Sequence, residues 1–210
     1  MLRNFIDFIF PQPCIICRKP LSSQEETFPA CRECDKQIAY KYNAHPVFYL
    51  GEYKDSLQKL IHQLKYKKIK ILGKYFSQKL VLLWNKFLFD KKIDIIISVP
   101  IHRRRLQERG YNQAHIIAYN LSKLVDIPYV KNLLKKIKYT ESQTRLNREE
   151  RLKNLRGSII VKRKDILKNI NHILLIDDIY TTGATSSECI RAIKSIKEDV
   201  KISVMVVAIA

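Results

Sequence analysis

Four cysteines stand as two C-x-x-C pairs, Cys14-Ile-Ile-Cys17 and Cys31-Arg-Glu-Cys34, thirteen residues apart. Each pair can present two thiolates to one ion. Two pairs complete a tetrahedral shell with no open position, which is the chemistry of a structural zinc site. Two redox dithiols are the alternative use of such pairs. The surrounding stretch is loop-rich and holds Pro11, Pro13, Pro20, Pro29 and Pro46. A metal would therefore supply folding energy that roughly 45 residues with little core lack. Cys189, on an apolar helical face, reads instead as a small buried hydrophobe, and His45 as polar surface, with a place in the metal site as its alternative.

A second concentration of chemistry is ILLIDDIYTTGAT, Ile173 to Thr185. A buried apolar run delivers two carboxylates, Asp177 and Asp178, at its carboxyl end. The turn Thr181-Thr182-Gly183-Ala184-Thr185 then opens a helix, where backbone N–H groups and hydroxyls can cradle a phosphate. In open α/β sheets, ligands sit outside the carboxyl ends of the strands. A sugar phosphate suits this pattern, with the two acids accepting hydrogen bonds from vicinal hydroxyls. No large side chain is expected in the cradle.

Two basic stretches accompany it. SVPIHRRRLQERGYNQA, Ser98 to Ala114, follows a β-branched run and carries His102, Arg103, Arg104, Arg105 and Arg109. Guanidinium groups bind pyrophosphate and nucleic-acid backbone equally well, being permanently charged and bidentate. A solvated basic turn is the bland alternative. Between Lys131 and Lys168 there are thirteen Lys/Arg against four Asp/Glu. The segment Lys138 to Arg156 within it reads as a long polar loop, a functional lid rather than a linker, with a solvated basic helix as the bland alternative.

The elements that would position these groups follow from periodicity. Leu57, Leu60, Ile61 and Leu64 share one helical face, and ILGKYFSQKLVLLWNKFLF continues as a second helix. Ile93 to Pro100, His172 to Asp178 and the closing VKISVMVVAIA read as buried strands, with helices over YNQAHIIAYNLSKLV and ATSSECIRAIKSI. Strands alternating with helices give an α/β fold with a parallel sheet. The expected division is a four-cysteine module over 1–45 and an α/β domain over 46–210.

Composition bounds the partners. The chain has 210 residues, 46% of them hydrophobic, enough to bury a core and to exclude disorder over most of its length. Lys+Arg 39 against Asp+Glu 20 leaves +19, which predicts a polyanionic partner. MLRNFIDFIF is interrupted by Asp7 and stopped by Pro11, a poor export signal. No stretch reaches the roughly 18 uncharged apolar residues of a membrane helix, so a cytoplasmic protein without membrane insertion is expected.

The stretch Ile173 to Thr185 resembles the signature of type I phosphoribosyltransferases, which bind 5-phosphoribosyl-1-pyrophosphate (PRPP). Together with LIHQLKY (Leu60 to Tyr66), Ser98 to Ala114, TESQTRLNREERLKNLRGSI (Thr140 to Ile159) and the cysteine pairs, it is similar to the successive blocks of the ComF family. These are competence-associated, phosphoribosyltransferase-like proteins with an amino-terminal zinc-ribbon-like segment. The resemblance implies a parallel sheet flanked by helices, with a small four-cysteine module holding zinc. It implies PRPP binding, accompanied by Mg²⁺, at Asp177, Asp178, Thr181, Thr182, Gly183, Ala184, Thr185, His102 and Arg103. Gln143, Arg145 and Arg148 would be the contacts of a catalytic loop, with Lys65 as a further group that could face the site. Arg104, Arg105, Arg109 and Arg151 would meet single-stranded DNA, with Tyr42, Tyr49, Tyr53, Tyr66 and Tyr111 offered for base stacking. The implied role is handling of incoming DNA in natural transformation, alongside a DNA-translocating helicase or membrane channel. Transfer of ribose 5-phosphate from PRPP to an amine or base acceptor is the alternative.

Overall fold

The computed structural model describes residues 13–21, 29–38, 47–140, 150 and 154–210. At its centre four strands, Phe48–Glu52 (β1), Ile95–Ser98 (β2), His172–Tyr180 (β5) and Lys201–Ile209 (β6), form a parallel sheet in the order β1-β6-β5-β2. A single parallel bridge from Ile96 to Tyr129 extends the β2 edge. Two further strands, Leu134–Lys136 (β3) and Ile159–Val161 (β4), make a separate antiparallel pair.

Alternation along the central strands explains the layers. Leu174 and Ile176 face one core with Ile96, Met205 and Val207. Ile173 and Leu175 face the opposite core with Ile95, Ile97, Val204 and Val206. A strand covered on both faces reads as a continuous apolar run, which is what these segments are. The first face is covered by Asp55–Tyr66 (α2), Ile71–Phe87 (α3) and Gln113–Val125 (α5). Leu57, Leu60, Ile61 and Leu64 all lie buried in it, as their helical spacing predicts. The second face is covered by Ala184–Lys194 (α6), the β3–β4 pair and a 3₁₀ turn over Lys164–Asn169.

Helices α3 and α5 approach closely at Gly73, where a Cβ would run into the Ile116 side chain. Glycine is needed there for contact rather than for conformation. Opposite, Glu188 of α6 is buried and accepts hydrogen bonds from the backbone N–H groups of Gly157 and Ile159, at the root of β4. Arg191 clasps the same carboxylate through two hydrogen bonds of 2.7 Å. Burial opposes ionisation of Glu188, but these donors and the Arg191 charge outweigh it and hold its pKa below the usual range.

Several elements go beyond the sequence expectation. The strand Phe48–Glu52 is not among the expected ones, and a strand pair and a 3₁₀ turn flank the expected polar loop, most of which lies outside the described residues. Strands of three residues, one of them Leu-Lys-Lys, are too short to show an alternating pattern.

Candidate functional site

The strand register brings the functional stretches together at one sheet edge. Ser98 pairs with Ile176, and the Val99 N–H donates to the Ile176 carbonyl at 2.9 Å. The loop from Val99 to His102 therefore lies beside Asp177, at the carboxyl ends of adjacent parallel strands, where open sheets bind ligands. The acids sit within β5, which runs two residues past them to Tyr180. Burial, then the neighbouring Asp178 charge, push the Asp177 carboxyl up to about 7, against weaker help from Lys65 and Lys136. Its Oδ1 accepts from the Asp178 N–H at 2.8 Å.

Two lysines approach the pair from different elements. Lys65 of α2 places Nζ 3.1 Å from Asp178 Oδ2, the two side chains being 16% and 10% exposed. Lys136 of β3 donates to Thr140 Oγ1 at 2.7 Å and feels the Asp177 charge. Burial and the nearby Arg105 lower the Lys136 pKa. No motif marks Lys136 in the sequence; it is one basic residue in a basic run.

Beyond the acids, Gly183 caps α6 at φ +75°, in the left-handed region that favours glycine. Thr182 Oγ1 accepts from the Ala184 N–H at 3.4 Å, Thr181 is exposed and Thr185 half-buried. The first-turn N–H groups of α6 have no preceding carbonyl to bind and point at this turn. One expectation fails here: Tyr180 leans over the cradle, and a Cβ on residue 183 would collide with its hydroxyl.

The basic stretch forms a short helix, Arg103–Arg109 (α4). His102 caps it, Nδ1 accepting from the Arg104 N–H at 3.2 Å, and its ring lies 5.3 Å from that of Tyr139. Arg103 is exposed at the first position. Arg104 pairs with Glu108 at 3.5 Å and stands over the Tyr139 ring at 4.8 Å. Arg105 donates to the Thr140 carbonyl at 3.2 Å, joining α4 to the chain beyond β3. Arg109 donates to Gln113 Oε1 at 3.1 Å and lies over the Tyr66 ring at 5.5 Å. Gln113 is buried, and its Nε2 has no partner among the described residues. Asn112 orients the loop, donating to the Val99 carbonyl at 2.9 Å while capping α5. Gln143, Arg145, Arg148 and Arg151 lie outside the described residues, as do Tyr42 and His45.

Burial also revises the aromatic set. Tyr49 and Tyr111 are buried, and the Tyr111 hydroxyl donates to the Leu64 carbonyl, so neither ring is open to a base. Tyr66 is 58% exposed.

Away from the sheet edge, the sulfurs of Cys14, Cys17, Cys31 and Cys34 all lie within 4.8 Å of one another. Cys14 Sγ accepts from the Cys31 N–H at 3.3 Å and Cys31 Sγ from the Cys34 N–H at 3.4 Å, the second capping Arg32–Gln37 (α1). Burial disfavours the Cys14 thiolate, but N–H donors from Cys17, Cys31 and Ile16 outweigh it and bring its pKa down to about 7. Four convergent thiols fit a metal ion with a closed, sulfur-only shell. The cluster is fastened to α3 by Asp35, which accepts from both the Tyr75 hydroxyl and the Lys79 ammonium.

No family model matches the chain. Competence protein F of Haemophilus influenzae aligns over 93% of this chain and 94% of its own length, at 27% identity. Competence protein ComFC of Bacillus subtilis aligns at 26% identity over 82% of this chain and 67% of its own. The chain is similar to these competence proteins over most of its length. DNA utilization protein YhgH of Escherichia coli matches at 28% identity over 66% of this chain, which covers 61% of that relative. Among solved structures, the adenine phosphoribosyltransferase of Leishmania tarentolae superposes with a TM-score of 0.44, at 14% identity over 76% of each chain. The purine phosphoribosyltransferase of Pyrococcus horikoshii gives 0.39, at 20% identity over 64% of this chain and 73% of that one. Likeness of this degree carries no argument about the site, which rests on the geometry above. Among the described residues no helix is long and apolar enough to cross a membrane.

Proposed function

We propose that this protein binds PRPP at the carboxyl ends of β2 and β5, and single-stranded DNA on the basic surface beside it. Its role is the cytoplasmic handling or uptake of transforming DNA. The observation that carries this reading is the meeting of the acid pair, the Thr/Gly turn and the arginine loop at one sheet edge. Asp177 and Asp178 accept hydrogen bonds from the ribose hydroxyls. The first-turn amides of α6, from Gly183 and Ala184 onward, hold the 5-phosphate with Thr181, Thr182 and Thr185, once the Tyr180 ring swings off the turn. His102 and Arg103 take the pyrophosphate, which brings Mg²⁺ with it to spread its charge. Gln143, Arg145 and Arg148 close over the ligand and exclude water.

Arg104, Arg105, Arg109 and Arg151 supply contacts to the DNA backbone, in keeping with the +19 surplus. The names of the relatives support the competence role. The four cysteines hold zinc, residues 1–45 forming the metal module and 46–210 the ligand-binding domain. A DNA-translocating helicase or a membrane channel is the protein partner.

Titration calorimetry with PRPP and Mg²⁺, on the wild type and on Asp177→Ala/Asp178→Ala, tests the ligand. Heat of binding is expected for the first protein alone, and equal binding by both sinks the assignment. Pyrophosphate release over a panel of amine and base acceptors separates a transferase from a binding protein.

A further inference from the structure

A cleft of about 430 Å³ opens between the carboxyl end of α2, helix α4 and the residues after β3. Lys65 and Lys68 line it from one side, Arg105 and Arg109 from the other, with Glu108 as the carboxylate among them. Its aromatic walls are Tyr66 and Tyr139. Through Lys65 it adjoins Asp178 directly.

Three features bear on what fits there. The four cations ask for an anion, but the carboxylate and the two phenol rings are poor lining for a bare phosphate. Each tyrosine is braced: Tyr66 by Arg109 and by the His62 ring at 4.6 Å, Tyr139 by Arg104 and His102. A ring braced by a guanidinium loses little freedom when a flat ligand stacks on it, and the guanidinium plane offers a second stacking surface. Tyr66 is also a large side chain left 58% exposed rather than folded into the adjoining core. The volume lies at the small end of ligand clefts, about 300–1,000 Å³, which suits one monomer unit and not a duplex. A flat, N–H-bearing ring tied to a phosphate meets all of this.

We infer that the cleft holds one nucleotide unit of a single strand, its base stacked on Tyr66 with Tyr139 as the second wall. The adjoining phosphate lies on Lys68, Arg105 and Arg109. Glu108 accepts a hydrogen bond from a base N–H. This rests on the DNA-binding reading above and adds that bases, and not the backbone alone, are held.

The test compares a short oligothymidylate with the same strand carrying abasic sugars, by fluorescence anisotropy over a salt series, on the full chain. The base-bearing strand is expected to bind the wild type about tenfold more tightly, the effect of one base–aromatic stack. Tyr66→Ala removes that difference and leaves the salt slope unchanged, and Tyr66→Phe restores it. Arg109→Ala lowers the salt slope by about one contact. Equal affinity of the wild type for the two strands overturns the inference while leaving DNA binding intact. Absence of any complex at low salt overturns both.

Discussion

Lys65 on α2 reaches across to Asp178 on β5, Nζ to Oδ2 at 3.1 Å, and both side chains are largely withdrawn from solvent. Removing one partner of such a pair leaves a charge without compensation, whereas removing both does not. Lys65→Met alone is expected to cost about 3 kcal/mol in urea unfolding at neutral pH. Lys65→Met/Asp178→Leu recovers most of that loss. Additive losses in the double variant count against the pairing.

Asp177 sets a pH dependence of opposite sense to an ordinary carboxylate. Its pKa rises from 3.8 to about 7, through burial and then through Asp178. Between about pH 4 and pH 7 the native chain holds a proton that the unfolded chain has released. This group's contribution to stability is therefore complete below about pH 4 and disappears as pH rises through 7. Asp177→Asn removes the titration. Wild-type stability relative to that variant should fall across this window by up to about 4 kcal/mol, then stay level. A difference that is flat, or that grows with pH, contradicts the burial of this carboxyl.

Metal removal should be felt beyond the cysteines. Full-length protein is expected to carry a single bound ion per chain by elemental analysis. Stripping it with a chelator, or replacing Cys17 with Ser, should lower the thermal midpoint and expose the thiols to titration. The same treatment should loosen Tyr75, seen in near-ultraviolet dichroism, because Asp35 ties that ring to the cluster. Metal-free protein of unchanged midpoint would show that the thiols bind no structural ion.

Gly183 meets two constraints at once, a φ of +75° and the Tyr180 hydroxyl above it. Gly183→Ala should destabilise by about 1–3 kcal/mol through backbone strain. Placed on Tyr180→Ala, which takes away the hydroxyl and the ring atoms beneath it, Gly183→Ala should cost less, because only the backbone strain is left. Thermal unfolding of these proteins decides, and an unaffected Gly183→Ala would mean that the turn relaxes freely.

What could be read in advance follows a physical rule. The cysteine pairs and the run from Ile173 to Thr185 concentrate their chemistry within a few residues, so spacing alone is informative. The strands around Leu174 and Val206 were legible because burial on both faces leaves no polar residue to blur them. Tyr139 and Lys136 had no such local mark; they matter because β3 carries them back to the sheet edge. The roles of Tyr49 and Tyr111 depended on burial, which is decided by long-range packing and not by residue type. The arginines of α4 lay between: their charge was plain, but their engagement with Tyr66, Tyr139 and Thr140 belongs to the tertiary structure.

The grip of Glu188 on the amides of Gly157 and Ile159 ties together two parts far apart in the chain. Glu188 lies one turn along the helix that starts at the Thr/Gly turn, and those amides belong to the residues that lead into and open β4. Neutralising that one carboxylate would therefore release the entry to β4 and the Arg191 clasp together.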